Sequence, residues 1–171
     1  GILAADESNP TCTKRLTSVD VESTFKTRNE YRDMLFTSKG LADYISGVIL
    51  FDETFRQSTT CSNKTSFIEY LNSKSIILGI KVDTGAKSLA QFGNEKITEG
   101  LDGLRERLTE YYKLGARFAK WRAVITIDSN TPSDACLYAN AHALARYAAL
   151  CQEYNIVPIV EPEVLMDGNH T

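Results

Sequence analysis

Ala116-Arg117-Phe118-Ala119-Lys120-Trp121-Arg122-Ala123-Val124 is the stretch on which the fold turns. It follows Gly115, is largely apolar, and carries cations at i and i+2, Lys120 and Arg122. Alternate residues of a strand project to one face, so both cations share a face and Trp121 points the other way, toward packed helices. An ordinary core strand places Val or Ile at such positions. Charges there are costly unless they are paired or used.

The same grammar recurs along the chain. Strand-like runs fall at 1–6, 47–53, 75–83, 116–124 and 156–163. Val48-Ile49-Leu50-Phe51 and Ile76-Ile77-Leu78 are nearly continuous apolar stretches, the signature of strands buried on both faces of a parallel sheet. Helical periodicity separates the runs. Residues 29–36 carry Tyr31, Met34, Leu35 and Phe36, and residues 66–71 carry Phe67, Ile68, Tyr70 and Leu71. Leu101, Leu104, Leu108 and Tyr111 or Tyr112 line one face of 101–114, and Gly115 stops that helix. Residues 131–154 give the clearest helix, with Thr131 as N-cap, Pro132 at the first helical position, Asp134 as a capping-box-like acid and Asn155 as terminator. The order β-α-β-α-β-α-β-α-β, without a linker, predicts a single α/β domain over 1–171 with a parallel sheet and right-handed crossovers. A doubly wound sheet and part of a (β/α)8 barrel both satisfy it. A whole barrel needs about 250 residues, so this chain would supply only part of one.

Charge collects where these strands end. The first ends in Asp6, the second in Glu53, and the third in Lys81-Val82-Asp83. The fifth ends in Glu161-Pro162-Glu163. Lys81 with Asp83, Lys120 with Arg122, and Glu161 with Glu163 are each i, i+2 pairs on one strand face. In a parallel barrel the inward faces converge and active sites gather at the C-terminal strand ends. Taken singly, Glu53 reads as a strand end meeting water and Lys14-Arg15 as a solvated pair. Paired charges on successive strands do not. Such a set suits a small anionic carbonyl compound: Lys and Arg hold phosphate, carboxylates move protons, and a lysine crowded by cations becomes a nucleophilic amine.

Composition narrows the classes. The 171 residues carry a net charge of −3, which offers no basic face for nucleic acid or a membrane surface. No apolar run approaches the roughly 20 residues of a membrane helix. Cys12, Cys61, Cys136 and Cys151 show no metal or redox spacing, so free thiols in a reducing compartment are expected, with Cys136 and Cys151 packed as small apolar groups. His142 and His170 have no ligand spacing, and no metal or other cofactor is expected. There is no P-loop and no dinucleotide fingerprint; Gly100-Leu101-Asp102-Gly103 reads as a helix entry. The chain opens without Met in a strand and stops in a turn-like segment, so both ends look cut.

Longer blocks carry a family resemblance. Gly-Ile-Leu-Ala-Ala-Asp-Glu-Ser at 1–8, Lys-Arg-Leu at 14–16, Gly-Val-Ile-Leu-Phe at 47–51 and Gly-Ile-Lys-Val-Asp at 79–83 resemble class I (Schiff-base) fructose-bisphosphate aldolase. So do Glu-Gly-Leu-Asp-Gly-Leu at 99–104, Phe-Ala-Lys-Trp-Arg at 118–122, Leu-Ala-Arg-Tyr-Ala at 144–148 and Val-Pro-Ile-Val-Glu-Pro-Glu at 157–163. The resemblance implies a (β/α)8 TIM barrel, of which this chain supplies about the first five β/α units, lacking an N-terminal segment and the last strands. It implies cleavage of fructose 1,6-bisphosphate without a metal. Asp6 would handle protons around the carbinolamine, Lys120 would assist its formation, Glu161 would be the general acid/base, and Glu163 would tune its neighbours. Lys81 and Arg122 would hold the charge network and substrate, Arg15 and Arg28 would contact phosphate, and Ser8 would support.

The family's Schiff-base lysine is expected on the next strand, past Thr171, so the piece alone is expected to be inactive, with two unpaired sheet edges. Thr84 departs from the family's usual Lys, and the loop around Gln91-Phe92-Gly93-Asn94 departs too. Asn9-Pro10-Thr11-Cys12 and Tyr44-Ile45-Ser46-Gly47 resemble plastid-type members, which points to cytosol or plastid stroma. A homotetramer is implied for the complete protein. The alternatives are a catalytically inactive scaffold-like relative and another Schiff-base sugar-phosphate aldolase.

Overall fold

A computed structural model describes residues 1–170. The chain packs as two compact units, Gly1–Lys81 with Leu114–Arg117, and Val82–Lys113 with the chain from Phe118 onward.

The first unit holds β1 (Ile2–Ala5), α1 (Asn9–Thr17), α2 (Phe25–Phe36), α3 (Leu41–Tyr44), β2 (Gly47–Leu50), α4 (Asp52–Phe55), α5 (Phe67–Ser73) and β3 (Ile77–Lys81). β1 and β3 both pair with β2, parallel, in the registers Ala5↔Leu50 and Leu50↔Ile80. Every residue of β2 is buried, as its unbroken apolar run requires. Phe36 of α2 and Phe67 of α5 meet edge to face at 5.0 Å, both essentially without exposure. Each such burial contributes about 1.5–3 kcal/mol. α5 begins with a capping box between Ser66 and Glu69.

The second unit holds β4 (Gly85–Ser88) and β5 (Lys96–Glu99), an antiparallel hairpin, then α6 (Leu104–Lys113), most of β6 (Ala116–Ile125), α7 (Asp134–Glu153) and β7 (Val157–Val164). β6 and β7 pair in parallel over their whole overlap. Trp121 is fully buried, with its ring 5.4 Å from that of Tyr147 on α7, as its odd position in β6 predicts. The Tyr147 hydroxyl donates to the Ile159 carbonyl of β7 at 3.2 Å, and burial pushes its phenol pKa up. Cys151 is also buried, its thiol pushed up to about 12 by desolvation. Cys12 and Cys136 are buried too, and Cys61 is exposed.

Several expectations need correction. α1, α3, α4 and the β4–β5 hairpin interrupt the simple alternation. α2 starts at Phe25, not at 29, because Thr24 closes a capping box with Thr27, a hydroxyl pair in place of the usual Ser/Thr–Glu signature. Met34 is 58% exposed; the inward turn of α2 is occupied instead by Arg32 and Phe36. Tyr111, not Tyr112, is the buried tyrosine of α6. α7 begins at Asp134, with Ser133 as N-cap. The Thr131–Pro132 bond is cis, and Ser133 accepts from the Cys136 amide at 3.2 Å. Glu95 fixes that cap, accepting from the Ser133 amide at 2.7 Å and its hydroxyl at 2.6 Å. Gly115 and Asn155, at φ +107 and +57, end α6 and α7 as their sequence positions predict. Among the described residues β1 and β7 each have one strand neighbour, and Ile2, Val160 and Val164 are exposed there. Thr171 lies outside the described residues.

Candidate active site

In the second unit, parallel register sets the charges. Lys120 lies opposite Ile159 and Arg122 opposite Glu161. Each cation therefore has a carboxylate diagonally ahead on the same face of β7, within reach of a long side chain. Lys120 Nζ lies 3.2 Å from Glu161 Oε2, with side chains 14% and 31% exposed. Arg122 Nε donates to Glu163 Oε2. The Arg122 hydrogen bond holds the Glu163 carboxyl below the usual carboxylate range, and the same bond raises the Arg122 guanidinium. Asp83, buried, accepts from the Gly85 amide at 3.0 Å and the Arg122 amide at 3.4 Å. The backbone around Asp83 is clamped in turn. Arg107 donates to the Val82 carbonyl at 2.7 Å and the Gly100 carbonyl at 2.5 Å. Gly100 sits at φ +131, where an added Cβ would lie 2.9 Å from the Thr84 nitrogen. Lys120, Arg122, Glu161 and Glu163 are thus brought together as their i, i+2 spacing predicts.

In the first unit, Asp6 lies buried just past β1, and half-buried Lys81 ends β3. Arg15 on α1 pairs with Glu7 and donates to the Tyr31 hydroxyl at 3.3 Å. The Tyr31 hydrogen bond and then the Glu7 charge raise the Arg15 guanidinium. Glu7 also accepts from the Tyr31 hydroxyl at 3.2 Å and lies 3.0 Å from buried Arg32. Arg28 grips Glu53 bidentately, Nε to Oε2 at 2.9 Å and Nη2 to Oε1 at 2.8 Å. Glu53 is therefore not a strand end meeting water: it lies in α4 with its side chain 16% exposed. Ser8 caps α1 without a side-chain cap bond, its Oγ 3.1 Å from Thr11 Oγ1.

Sequence reasoning passed over Glu7, Arg32 and Arg107. One signal was present for Arg32: it lies one turn before Phe36, on the buried side of α2. Glu7 and Arg107 carried no spacing signal.

The family model described as glycolytic fructose-bisphosphate aldolase class-I matches residues 1–171. The chain belongs to the class I fructose-bisphosphate aldolase family. A probable class 1 aldolase of Xylella fastidiosa is 61% identical over 170 residues, 99% of this chain and 50% of the relative. The cytosolic aldolase 6 of Arabidopsis thaliana is 52% identical, over 99% of this chain and 47% of its own length. A solved aldolase of Plasmodium falciparum, crystallised with TRAP and a small-molecule inhibitor, matches with a TM-score of 0.95 at 50% identity, over 100% of this chain and 49% of that one. The aldolase fold, a (β/α)8 barrel of which about five β/α units are present, is the fold the family resemblance implied. This chain spans about half the length of the curated aldolases it matches. Among the described residues no helix is long and apolar enough to cross a membrane, and no cluster of His, Cys, Asp and Glu is arranged to hold a metal ion.

Proposed function

We propose that the complete protein carrying this segment is a fructose-bisphosphate aldolase, a lyase that reversibly cleaves fructose 1,6-bisphosphate to dihydroxyacetone phosphate and glyceraldehyde 3-phosphate through a Schiff base. The observation that carries this reading is the 3.2 Å contact between Lys120 and Glu161 on neighbouring parallel strands. A protonated amine beside a carboxylate is a ready proton exchanger, and partial burial strengthens the coupling.

In this reading Lys120 assists carbinolamine formation and contacts substrate hydroxyls. Glu161 delivers and removes the proton of dehydration, and Glu163, ionised on Arg122, tunes the charge beside it. Asp6 handles protons around the carbinolamine. Arg15 contacts phosphate, with Arg28 adding charge from its pair with Glu53, and Lys81 and Arg122 hold the substrate's charge network. Ser8 supports the turn after Asp6. The Schiff-base lysine belongs to the part of the family's length that this chain does not span. The protein would serve glycolysis, gluconeogenesis or the Calvin cycle, as a homotetramer, in the cytosol or plastid stroma. The plant relatives, cytosolic aldolase 6 of Arabidopsis and the cytoplasmic isozyme 2 of pea, favour the cytosol.

The test is borohydride reduction with dihydroxyacetone phosphate. A covalent adduct should form on the complete protein and none on residues 1–171 alone. An adduct on the segment, or none on the complete protein, would refute the assignment. Comparing cleavage of fructose 1,6-bisphosphate and fructose 1-phosphate separates this enzyme from other Schiff-base aldolases.

A further inference from the structure

We propose that Arg32, a helix residue outside the strand-end set, is the positioning residue that fixes both Asp6 and Arg15. The inference rests on the roles given to those two residues above. Arg32 is 2% exposed and reaches β1 from the inner side of α2. Its Nε donates to the Ala5 carbonyl at 2.9 Å and its Nη2 to the Glu7 carbonyl at 2.8 Å. Ala5 precedes Asp6 and Glu7 follows it, so one planar guanidinium holds the chain before and after Asp6. A point-charge ammonium lacks that fork. Nη1 reaches Cys12 Sγ on α1 at 3.2 Å, which ties the same group to the helix that carries Arg15.

The second effect runs through charge. Arg32 Nη2 lies 3.0 Å from Glu7 Oε2, and the side chain of Glu7 is 8% exposed. Nη2 donates to the Glu7 carbonyl, and Glu7 Oε2 has the cation beside it but no hydrogen bond of its own. A buried carboxylate needs such a cation to stay ionised. Glu7 presents its other oxygen, Oε1, to both Arg15 and the Tyr31 hydroxyl. Arg32 also lies 5.1 Å from the centre of the Tyr31 ring, steadying the other partner of Arg15. Arg15, whose side chain is 58% exposed, is thereby held through its guanidinium Nη1 by a buried network.

The test uses the complete protein with Arg32→Lys and Glu7→Gln, beside the direct variants Asp6→Asn and Arg15→Ala. Arg32→Lys keeps the charge and loses the fork; kcat should fall on the order of tenfold or more, and KM should rise. Glu7→Gln should raise KM by a larger factor than it lowers kcat. A readout independent of turnover is the rate at which phenylglyoxal modifies Arg15, followed by peptide mass spectrometry. Loss of the Glu7 charge should speed it several-fold. Kinetics of Arg32→Lys within twofold of the parent, or an unchanged Arg15 modification rate in Glu7→Gln, would overturn the proposal. Should Arg32→Lys not fold, Glu7→Gln decides by the same two readouts. If Asp6→Asn and Arg15→Ala keep parental kinetics while Glu7→Gln still speeds Arg15 modification, the aldolase roles fall and the positioning of Arg15 stands.

Discussion

The β6–β7 face and the corner between β1 and α1 reach charged order by opposite routes. On β6–β7, cations and carboxylates come from adjacent parallel strands, and register alone makes Lys120 meet Glu161 and Arg122 meet Glu163. The pairs stay partly exposed, up to 41% at Arg122. At the β1–α1 corner nothing in the strand pattern makes the pairs. A cation from α2, 2% exposed, crosses to the backbone on both sides of Asp6 and neutralises Glu7. Exposed charges remain movable and titratable, as proton transfer requires, whereas a buried guanidinium is fixed in place.

The sharpest way to break the contrast is at Glu161. Glu161→Gln in the complete enzyme keeps shape and removes the proton carrier, and turnover should fall about 10²–10⁴-fold; near-parental kcat would remove Glu161 from the chemistry. The two regions separate next on stability. Arg32→Met removes the buried cation of Glu7, leaves only the exposed Arg15 beside it, and should cost about 3–5 kcal/mol in urea unfolding. Arg122→Met removes an exposed partner and should cost below about 1 kcal/mol; equal losses would erase the distinction. Gly100→Ala tests the scaffold beneath Asp83. Its Cβ would meet the Thr84 nitrogen at 2.9 Å with φ at +131, and a loss of about 1–3 kcal/mol is expected. The smallest effect is acid dependence. Arg122 holds Glu163 below the ordinary carboxylate range. The pair's stabilisation is therefore fully present above the unfolded value of about 4.3 and is lost as pH falls through the lower folded value. Between pH 5 and pH 3 the urea midpoint should drop slightly less in Glu163→Gln than in the parent.

What could be read beforehand follows the same division. Lys120, Arg122, Glu161 and Glu163 were legible because strand alternation has a fixed period, so sequence spacing is spatial direction. Trp121 was legible as packing for the same reason. α7 starts two residues later than its pattern predicts, with Ser133 rather than Thr131 as N-cap, because Ser133 is held by Glu95 from far along the chain. The resemblance makes Arg28 a phosphate contact but does not announce Glu53, which its fork grips. No local rule announces a partner that distant.

The sequence by itself determined the parallel α/β class and the charged strand ends, because period and composition act locally, and its long motif blocks carried the family resemblance. Only the tertiary structure decided which cation serves which carboxylate: that Lys120 meets Glu161, and that Arg32 rather than a strand residue steadies Asp6 and Glu7. The reason is desolvation. Burying a charge is unfavourable until a partner arrives, and the partner is chosen by register and helix docking, which sequence distance does not encode.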